Sequence, residues 1–466
     1  MYNKKMLPKL ELVMSTYKQS SCHGYLIVLL SVSFALIGCS QAAPAANTRI
    51  ASAGLVTTWI QQNAIPLKTV EPGGSDADLQ PLQSLVGNAS IVGLGEETHG
   101  THEFFTMKAR LVEFLVSRMG FNTFIMENNW GTSSLIDAYI NGGQGNVEDV
   151  MRMSLFFSWQ TQEYRDMLEW MRAYNTDATH TTKIHFMGMD CQGVSQGDFD
   201  EVENYVHAVD PQQAALVQNL YADITARGIA GRYTIYPQLA AETKQQYQNQ
   251  AQQVHDLLHA HQQAYENRSS FALALQNARI IVQFTTYANQ NSQDESLARY
   301  IQRDAFMAEN VAWIHDHAAG SHPRMIVWAH DVHIANNRSY YTGYAPKGTE
   351  NIGGFLRTWF KQSYLPIATS LYQGTFNTYQ GIRVTTDTAG TAGEDTYNYT
   401  LGNVGIPIYM LDLRKTQPGP VTDWANGPHV FLLYGLGGED LSIPGSLKQW
   451  FDVIIQIEDT TASHRL

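Results

Sequence analysis

The stretch Ser90-Ile91-Val92-Gly93-Leu94-Gly95, continued by Glu96-Glu97-Thr98-His99-Gly100 and later by Thr123-Phe124-Ile125-Met126-Glu127, decides the fold. Ile91, Val92 and Leu94 form a short apolar run ending in glycine, the pattern of a strand buried on both faces. Downstream, Phe104, Phe105, Leu111, Val112, Phe114, Leu115 and Met119 recur at helical spacing over residues 103–119, and Gly120 supplies a stop. Thr123-Phe124-Ile125-Met126 then reads as a second strand. Strand, helix and strand in so short a span predict a βαβ unit, with parallel strands and a right-handed crossover.

Working outward, residues 184–189, 325–329, 367–371, 408–413, 429–433 and 451–457 read as further strands. Pro366 sits just before one of them, where a proline does least harm. Residues 53–63 and 163–175 read as helices, and 72–77 as a loop. Residues 198–318 differ in kind. They are rich in Gln, Ala, His and Leu, and Tyr247, Ala251, Val254, Leu257 and Leu258 give the Gln-rich part a helical apolar face. The expected fold class is α/β: a parallel-rich central sheet flanked by helices, with a large helical insertion. Residues 52–197 and 319–466 would form the α/β catalytic core, and 198–318 the insertion.

Composition narrows the function. With 44% apolar and 16% charged residues among 466, the chain can bury a large core. Its 30 Lys+Arg stand against 43 Asp+Glu, a net charge of −13, which argues against nucleic acid as a partner because phosphate contacts need a basic face. Three cysteines make no disulfide framework.

Ligands of open α/β sheets bind beyond the carboxyl ends of the strands. The residues found there are Glu96, Glu97, Thr98 and His99 after the first strand, Glu127 after the second, Asp190 after the 184–189 run, and His330, Asp331 and His333 after the 325–329 run. Titratable groups at four strand ends predict a catalytic cleft. His and Glu together suit activation of water, and a cation suits an oxyanion. Lys108 and Arg110 lie on the following helix as candidate cations, although either could simply flank its apolar stripe. Arg303-Asp304 reads from the residues alone as a surface pair within a helix.

Three motifs compete. Gly193-Val194-Ser195-Gln196-Gly197 fits the nucleophile elbow, but Asp190-Cys191-Gln192 separate it from the strand, whereas an elbow serine leaves the strand directly. His99/His102 and His330/His333 are two H-x-x-H pairs that, with Glu96 or Glu127, have the residue types of a zinc site or a haem-binding surface. No phosphate loop of the G-x-x-x-x-G-K-[ST] type occurs.

Taken together, these segments resemble the erythromycin esterase family. The resemblance rests on Gly95-Glu96-Glu97-Thr98-His99-Gly100-Thr101-His102-Glu103-Phe104-Phe105, Phe124-Ile125-Met126-Glu127, Trp170-Met171-Arg172-Ala173-Tyr174-Asn175, Phe186-Met187-Gly188-Met189-Asp190, Arg303-Asp304-Ala305-Phe306-Met307 and Val327-Trp328-Ala329-His330-Asp331-Val332-His333. It spans residues 52–460 and includes a glycine turn at Ile352-Gly353-Gly354. It implies a hydrolase that opens a macrolide lactone with water, without metal, cofactor or serine nucleophile. His99, Glu96 and Glu127 match its essential His and Glu, His330 its later His, and Arg303 and the Lys108/Arg110 segment its cations. His330 with an arginine is then expected to hold the oxyanion, and Lys108, Arg110, Asp190, Asp331 and His333 to line the substrate site. Glu97 and Asp331 depart from the family pattern and would make the cleft more acidic.

The start of the chain carries an address. Lys4, Lys5, Lys9 and Lys18 precede an apolar run from Tyr25 to Ile37, too short to span a membrane comfortably and the right length for a signal-peptide core. It ends Leu36-Ile37-Gly38-Cys39, which resembles a lipoprotein lipobox. Residues 1–38 are therefore expected to be a signal peptide, Cys39 the lipidated first residue, and residues 39–51 a tether. Met14 is an alternative start. Export to the periplasmic side and a lipid anchor follow, since more than one acyl chain holds a protein stably on a membrane. Cys39→Ala is expected to move the protein from the membrane to the soluble fraction with its catalytic activity retained, as measured by fractionation. Wild-type protein found in the cytosol with residues 1–38 intact would overturn the assignment.

Overall fold

Adjacent residues of the central strands point to opposite faces, and both faces are apolar, so these strands can only sit between two layers. The computed structural model describes residues 44–226, 236–266, 270–289, 297–317, 323–336, 350–381 and 383–466. One compact unit runs from Arg49 to Leu466. The expected signal peptide, residues 1–38, and Cys39 lie outside the described residues. Part of the expected tether is helical, because the first helix begins at Pro44 and runs to Asn63. Proline is well suited to a first helical position and the following alanines favour a helix. Among the described residues, no helix is long and apolar enough to cross a membrane.

The strands are β1 (Ile65–Pro66), β2 (Ile91–Leu94), β3 (Thr123–Asn129), β4 (His185–Asp190), β5 (Met325–Trp328), β6 (Tyr364–Gln380), β7 (Arg383–Ala389), β8 (Ile408–Asp412), β9 (His429–Phe431), β10 (Ile443–Gly445) and β11 (Val453–Thr460). The main sheet has the order β1-β8-β11-β6-β2-β5-β3-β4, with β7 paired to β6. From β4 to β11 its neighbours are parallel, while β8 turns antiparallel to β11. The sheet is thus mixed but mostly parallel, as the sequence predicts. Three details differ. β2 and β3 are parallel, but β5 lies between them, with Met325 opposite both Ile91 and Thr123. The 429–433 run pairs with β10 in a separate two-stranded sheet. β6 continues well past residue 371 and folds back through Gly381 into β7, a polar hairpin arm with no apolar alternation to announce it.

The two layers follow from the alternation. Ile91, Ile125 and Val327 face one core, shared with Phe199, Val254, Ile281 and Val311 of the helices Gln196–Val209, Ala241–Ala260, Phe271–Asn289 and Leu297–His317. Val92, Leu94, Phe124, Met126, Ile326 and Trp328 face the other, shared with Leu111, Leu115, Ile136 and Leu168 of the helices His102–Met119, Trp130–Ile140 and Gln162–Thr176. The helices of 198–318 therefore share one face of the sheet with the shorter helices that follow residue 350, such as Ile352–Phe360 and Tyr397–Gly402.

Register is what positions the site. Leu94 pairs with Trp328, and Trp328 with Met126, so β2, β5 and β3 end at one level. Glu96, Glu127 and His330 leave the sheet along the same rim, where the order of the strands reverses about β2. β6 passes the rim and walls it: Asn377 N–H donates to Gly100 O at 2.9 Å. A Cβ on Gly100 would lie 2.0 Å from the Asn377 carbonyl oxygen. Gly100→Ala is expected to cost about 1–3 kcal/mol of stability by overpacking. Gly390→Ala, with nothing within 4 Å of its Cβ, should stay within about 0.5 kcal/mol of wild type. Chemical denaturation of both variants checks the contrast.

Candidate active site

Glu96 and His99 leave the end of β2 on a loop that returns into the helix His102–Met119. His99 Nδ1 lies 3.0 Å from Glu96 Oε1. Glu96 is fully buried, and its other oxygen contacts the ammonium of Lys108, which comes from the second turn of that helix. Lys108 also lies over the Trp328 ring, 4.0 Å from its centroid. Burial pulls the Lys108 pKa well down, against the charges of Asp331 and Glu127. Arg110, two residues on, points the other way, as positions i and i+2 of a helix must. It bonds Asp78 at 2.5 Å and the carbonyls of Thr69 and Ser75 at 2.9 and 2.8 Å. Arg110 is a clip for the 69–78 loop and takes no part in the cleft, which corrects its expected role in substrate binding.

Glu127, at the end of β3, gathers three donors. Oε1 accepts from Arg303 Nη2 at 2.7 Å and lies 3.2 Å from His333 Nε2, while Oε2 accepts the His330 backbone N–H at 3.1 Å. Arg303 is clamped on its other side by Asp190, at the end of β4, with Nη2 at 2.6 Å and Nε at 3.1 Å. Burial alone would raise the Glu127 pKa, but His333 and Arg303 outweigh it and hold this carboxyl well below its usual range. His333 Nδ1 lies 2.6 Å from Asp304 Oδ1. Burial opposes charge on His333, yet Asp304 and Glu127 prevail and raise its pKa to about 10. Arg303-Asp304 is thus a buried pair facing the strand ends. The helix Leu297–His317 turns that face inward, which its polar residues do not advertise in sequence.

His330 departs from expectation. Its Nε2–H donates to the carbonyls of Glu97 and Tyr434, each at 3.1 Å, and its Nδ1 accepts the Val332 N–H at 3.1 Å. Both ring nitrogens are engaged with backbone, and burial keeps the ring neutral, its pKa well below 6.5. His330 therefore packs against His99, with ring centroids 4.9 Å apart, and has no free nitrogen to hold an oxyanion. Lys108, Asp190 and Asp331 are likewise fully buried, so they brace the site from behind and do not face a substrate. Asp331 packs so closely on Gly95 that a Cβ there would lie 1.8 Å from its Oδ1, and burial raises its pKa well above 3.8. Glu97 points away beneath β6, accepting from Leu371 N–H at 2.7 Å and from Asn398.

His99 is the group left open. Nδ1 is occupied by Glu96, Nε2 has no protein partner among the described residues, and the side chain keeps 11% of its surface exposed. Burial lowers its pKa to about 4, with Glu127 opposing and His333 and Arg303 assisting. The ring is neutral at pH 7, with Nδ1–H directed at Glu96 and Nε2 free to accept a proton. Trp159 packs edge-on to His99 at 4.8 Å and donates to Glu127 O at 3.2 Å. It was not foreseen, since it comes from a loop with no strand end before it. The competing motifs dissolve. Ser195 caps the helix Gln196–Val209, its Oγ bonded to Asp198 at 2.9 Å. Neither H-x-x-H pair converges, because His99 faces Glu96 while His102 faces Glu163, and His330 faces backbone while His333 faces Asp304.

Comparisons with known proteins bear on the fold and the family. The chain is 24% identical over 433 residues to the erythromycin esterase type II of Escherichia coli, covering 87% of this chain and 98% of that one. It is 23% identical over 423 residues to YbfO of Bacillus subtilis (strain 168), named as a hydrolase, covering 87% and 91%. A crystal structure of a Bacillus cereus protein superposes with a TM-score of 0.79 at 31% identity, over 88% of this chain and 98% of that one. A succinoglycan biosynthesis protein gives 0.76 at 32%, over 88% and 98%. The erythromycin esterase EreC shares the fold, with a TM-score of 0.66 at 16% identity. The erythromycin esterase family model matches residues 116–460, and on that match, over most of its length, the chain belongs to the erythromycin esterase family.

Proposed function

We propose that this hydrolase opens an ester or macrolactone bond with a water molecule activated by His99. The observation that carries the reading is the isolated Nε2 of a neutral His99, whose other nitrogen is fixed by Glu96 at 3.0 Å. In the proposed reaction His99 Nε2 takes a proton from water as the water oxygen attacks the carbonyl carbon. The C–O bond to the alcohol then breaks, and the imidazolium returns the proton to the departing alkoxide. Burial makes His99 a weak base, and the Glu96 carboxylate compensates by stabilising the imidazolium as it forms. The Arg303 guanidinium, held in place by Asp190 and Glu127, supplies the cation for the oxyanion. This replaces His330 in that role.

The substrate class rests on the relatives' names. One relative is an erythromycin esterase and another a succinoglycan biosynthesis protein, so macrolides head the candidates and acylated saccharides and simpler lactones follow. With Cys39 acylated, the enzyme would meet a hydrophobic antibiotic at the membrane surface. Incubation with each class, read by mass spectrometry, tests the function: the expected product is heavier than a lactone by one water, or is the acid and alcohol of an ester. No hydrolysis in any class would refute the reading.

On the substrate so identified, His99→Ala is expected to lower kcat by about 10²–10⁴-fold, the usual worth of a general base. An unchanged kcat would remove His99 from the mechanism. The pH profile gives a second check. A base works only unprotonated, and burial lowers the His99 pKa to about 4, so kcat/KM should hold as pH falls through the ordinary imidazole range near 6.5 and decline only as the pH approaches that lower value. An acid limb at or above the ordinary value would contradict this assignment.

A further inference from the structure

A second histidine cluster lies outside the cleft. His102 opens the helix His102–Met119 and turns its Nδ1 to Glu163 Oε1, 2.7 Å away. His464, near the end of the chain, brings its own Nδ1 to the same oxygen at 2.9 Å. The two rings meet edge-on with centroids 4.7 Å apart. Glu163 has a side chain only 2% exposed, and its other oxygen, Oε2, is buried with no hydrogen-bond partner. One carboxylate oxygen thus faces two imidazole nitrogens and the His464 backbone N–H at 3.0 Å, while its twin faces none.

We propose that His102, Glu163 and His464 form a binding site for a divalent transition metal, with Zn²⁺ the ion best suited. Their ligand atoms lie within 4.8 Å of one another. Bonds of about 2.0–2.1 Å to a tetrahedral zinc place ligand atoms roughly 3.3 Å apart, so small side-chain rotations admit the ion. Two imidazoles and a carboxylate are a zinc donor set. The far nitrogen of His102 lies 3.3 Å from Glu71 Oε1, the outer carboxylate that commonly orients a metal-bound histidine. His464, 57% exposed, leaves the fourth position on the solvent side. An ion there accounts for the crowding on one Glu163 oxygen and gives its orphaned twin a ligand role.

The site would act on the chain's end. The last residues bridge two loops: Thr101 pairs with Ala462, and Thr161 with Arg465. Ser463 N–H donates to Gly100 O at 2.9 Å, and Gln162 N–H to His464 O at 2.8 Å. Those loops carry His99 and Trp159. A metal would staple the C-terminal segment to both, apart from the reacting groups.

The test uses the full purified chain stripped by a chelator, titrated with Zn²⁺ by calorimetry and with Co²⁺ by visible absorption. One ion per chain with tetrahedral cobalt bands is expected. His464→Ala, at a largely exposed position that should leave the fold intact, should weaken binding by at least about tenfold, and Glu71→Gln by about tenfold. Zn²⁺ should raise the Tm of wild type and leave that of His464→Ala unmoved. No stoichiometric binding by wild type, or equal affinity in wild type and His464→Ala, would overturn the proposal.

Discussion

The guanidinium of Arg303 between Asp190 and Glu127 is the interaction on which the site depends. The parallel strands deliver carboxylates to one buried rim, and buried carboxylates repel one another and lose hydration. A single cation bonded to both, at 2.6 and 2.7 Å, removes the conflict. Deleting one partner of such a buried network commonly costs about 3–5 kcal/mol, because the remaining charge is left uncompensated. Arg303 comes from the helix Leu297–His317, so the same contact ties the helical layer to β3 and β4. Rim chemistry and docking of the insertion are one event.

Environment, not residue type, assigns the histidines their roles. His333 lies between two carboxylates and takes charge, with its pKa raised to about 10. His99 is buried against Trp159 and His330, and that burial lowers its pKa to about 4 and keeps it neutral. His330 donates and accepts with backbone alone. Three imidazoles within one rim are thus a cation, a neutral ring with one nitrogen open and a packing element. Separating pKa values in this way is how a site holds an acid and a base at one pH. The acidity that Glu97 and Asp331 add on paper does not reach the cleft, since both are buried away from it and burial favours their neutral forms.

Much of the fold and part of the site are legible in the sequence. Apolar runs closed by titratable residues marked β2, β3, β4 and β5, because a strand buried on both faces needs apolar residues throughout and can turn polar only where it leaves the sheet. Glu96, His99, Glu127, Asp190 and His333 were therefore visible as strand-end residues, and the helical period of 198–318 was visible in its apolar spacing. The sequence also specified the family, through ordered local motifs.

Tertiary structure alone decided the rest, because partners far apart in the chain leave no local trace. That Lys108 braces Glu96 while Arg110 clips a distant loop follows from which helix face meets the sheet, whereas in sequence either residue reads as a cation flanking the helix's apolar stripe. That β5 enters between β2 and β3 is a pairing across the whole 198–318 segment, which no local pattern announces. Arg303-Asp304 looks like a surface pair until its helix is docked, and His330 looks like a holder of the oxyanion until the carbonyls of Glu97 and Tyr434 close on its Nε2. Periodicity fixes what is buried. Which charge meets which is set only when the layers pack.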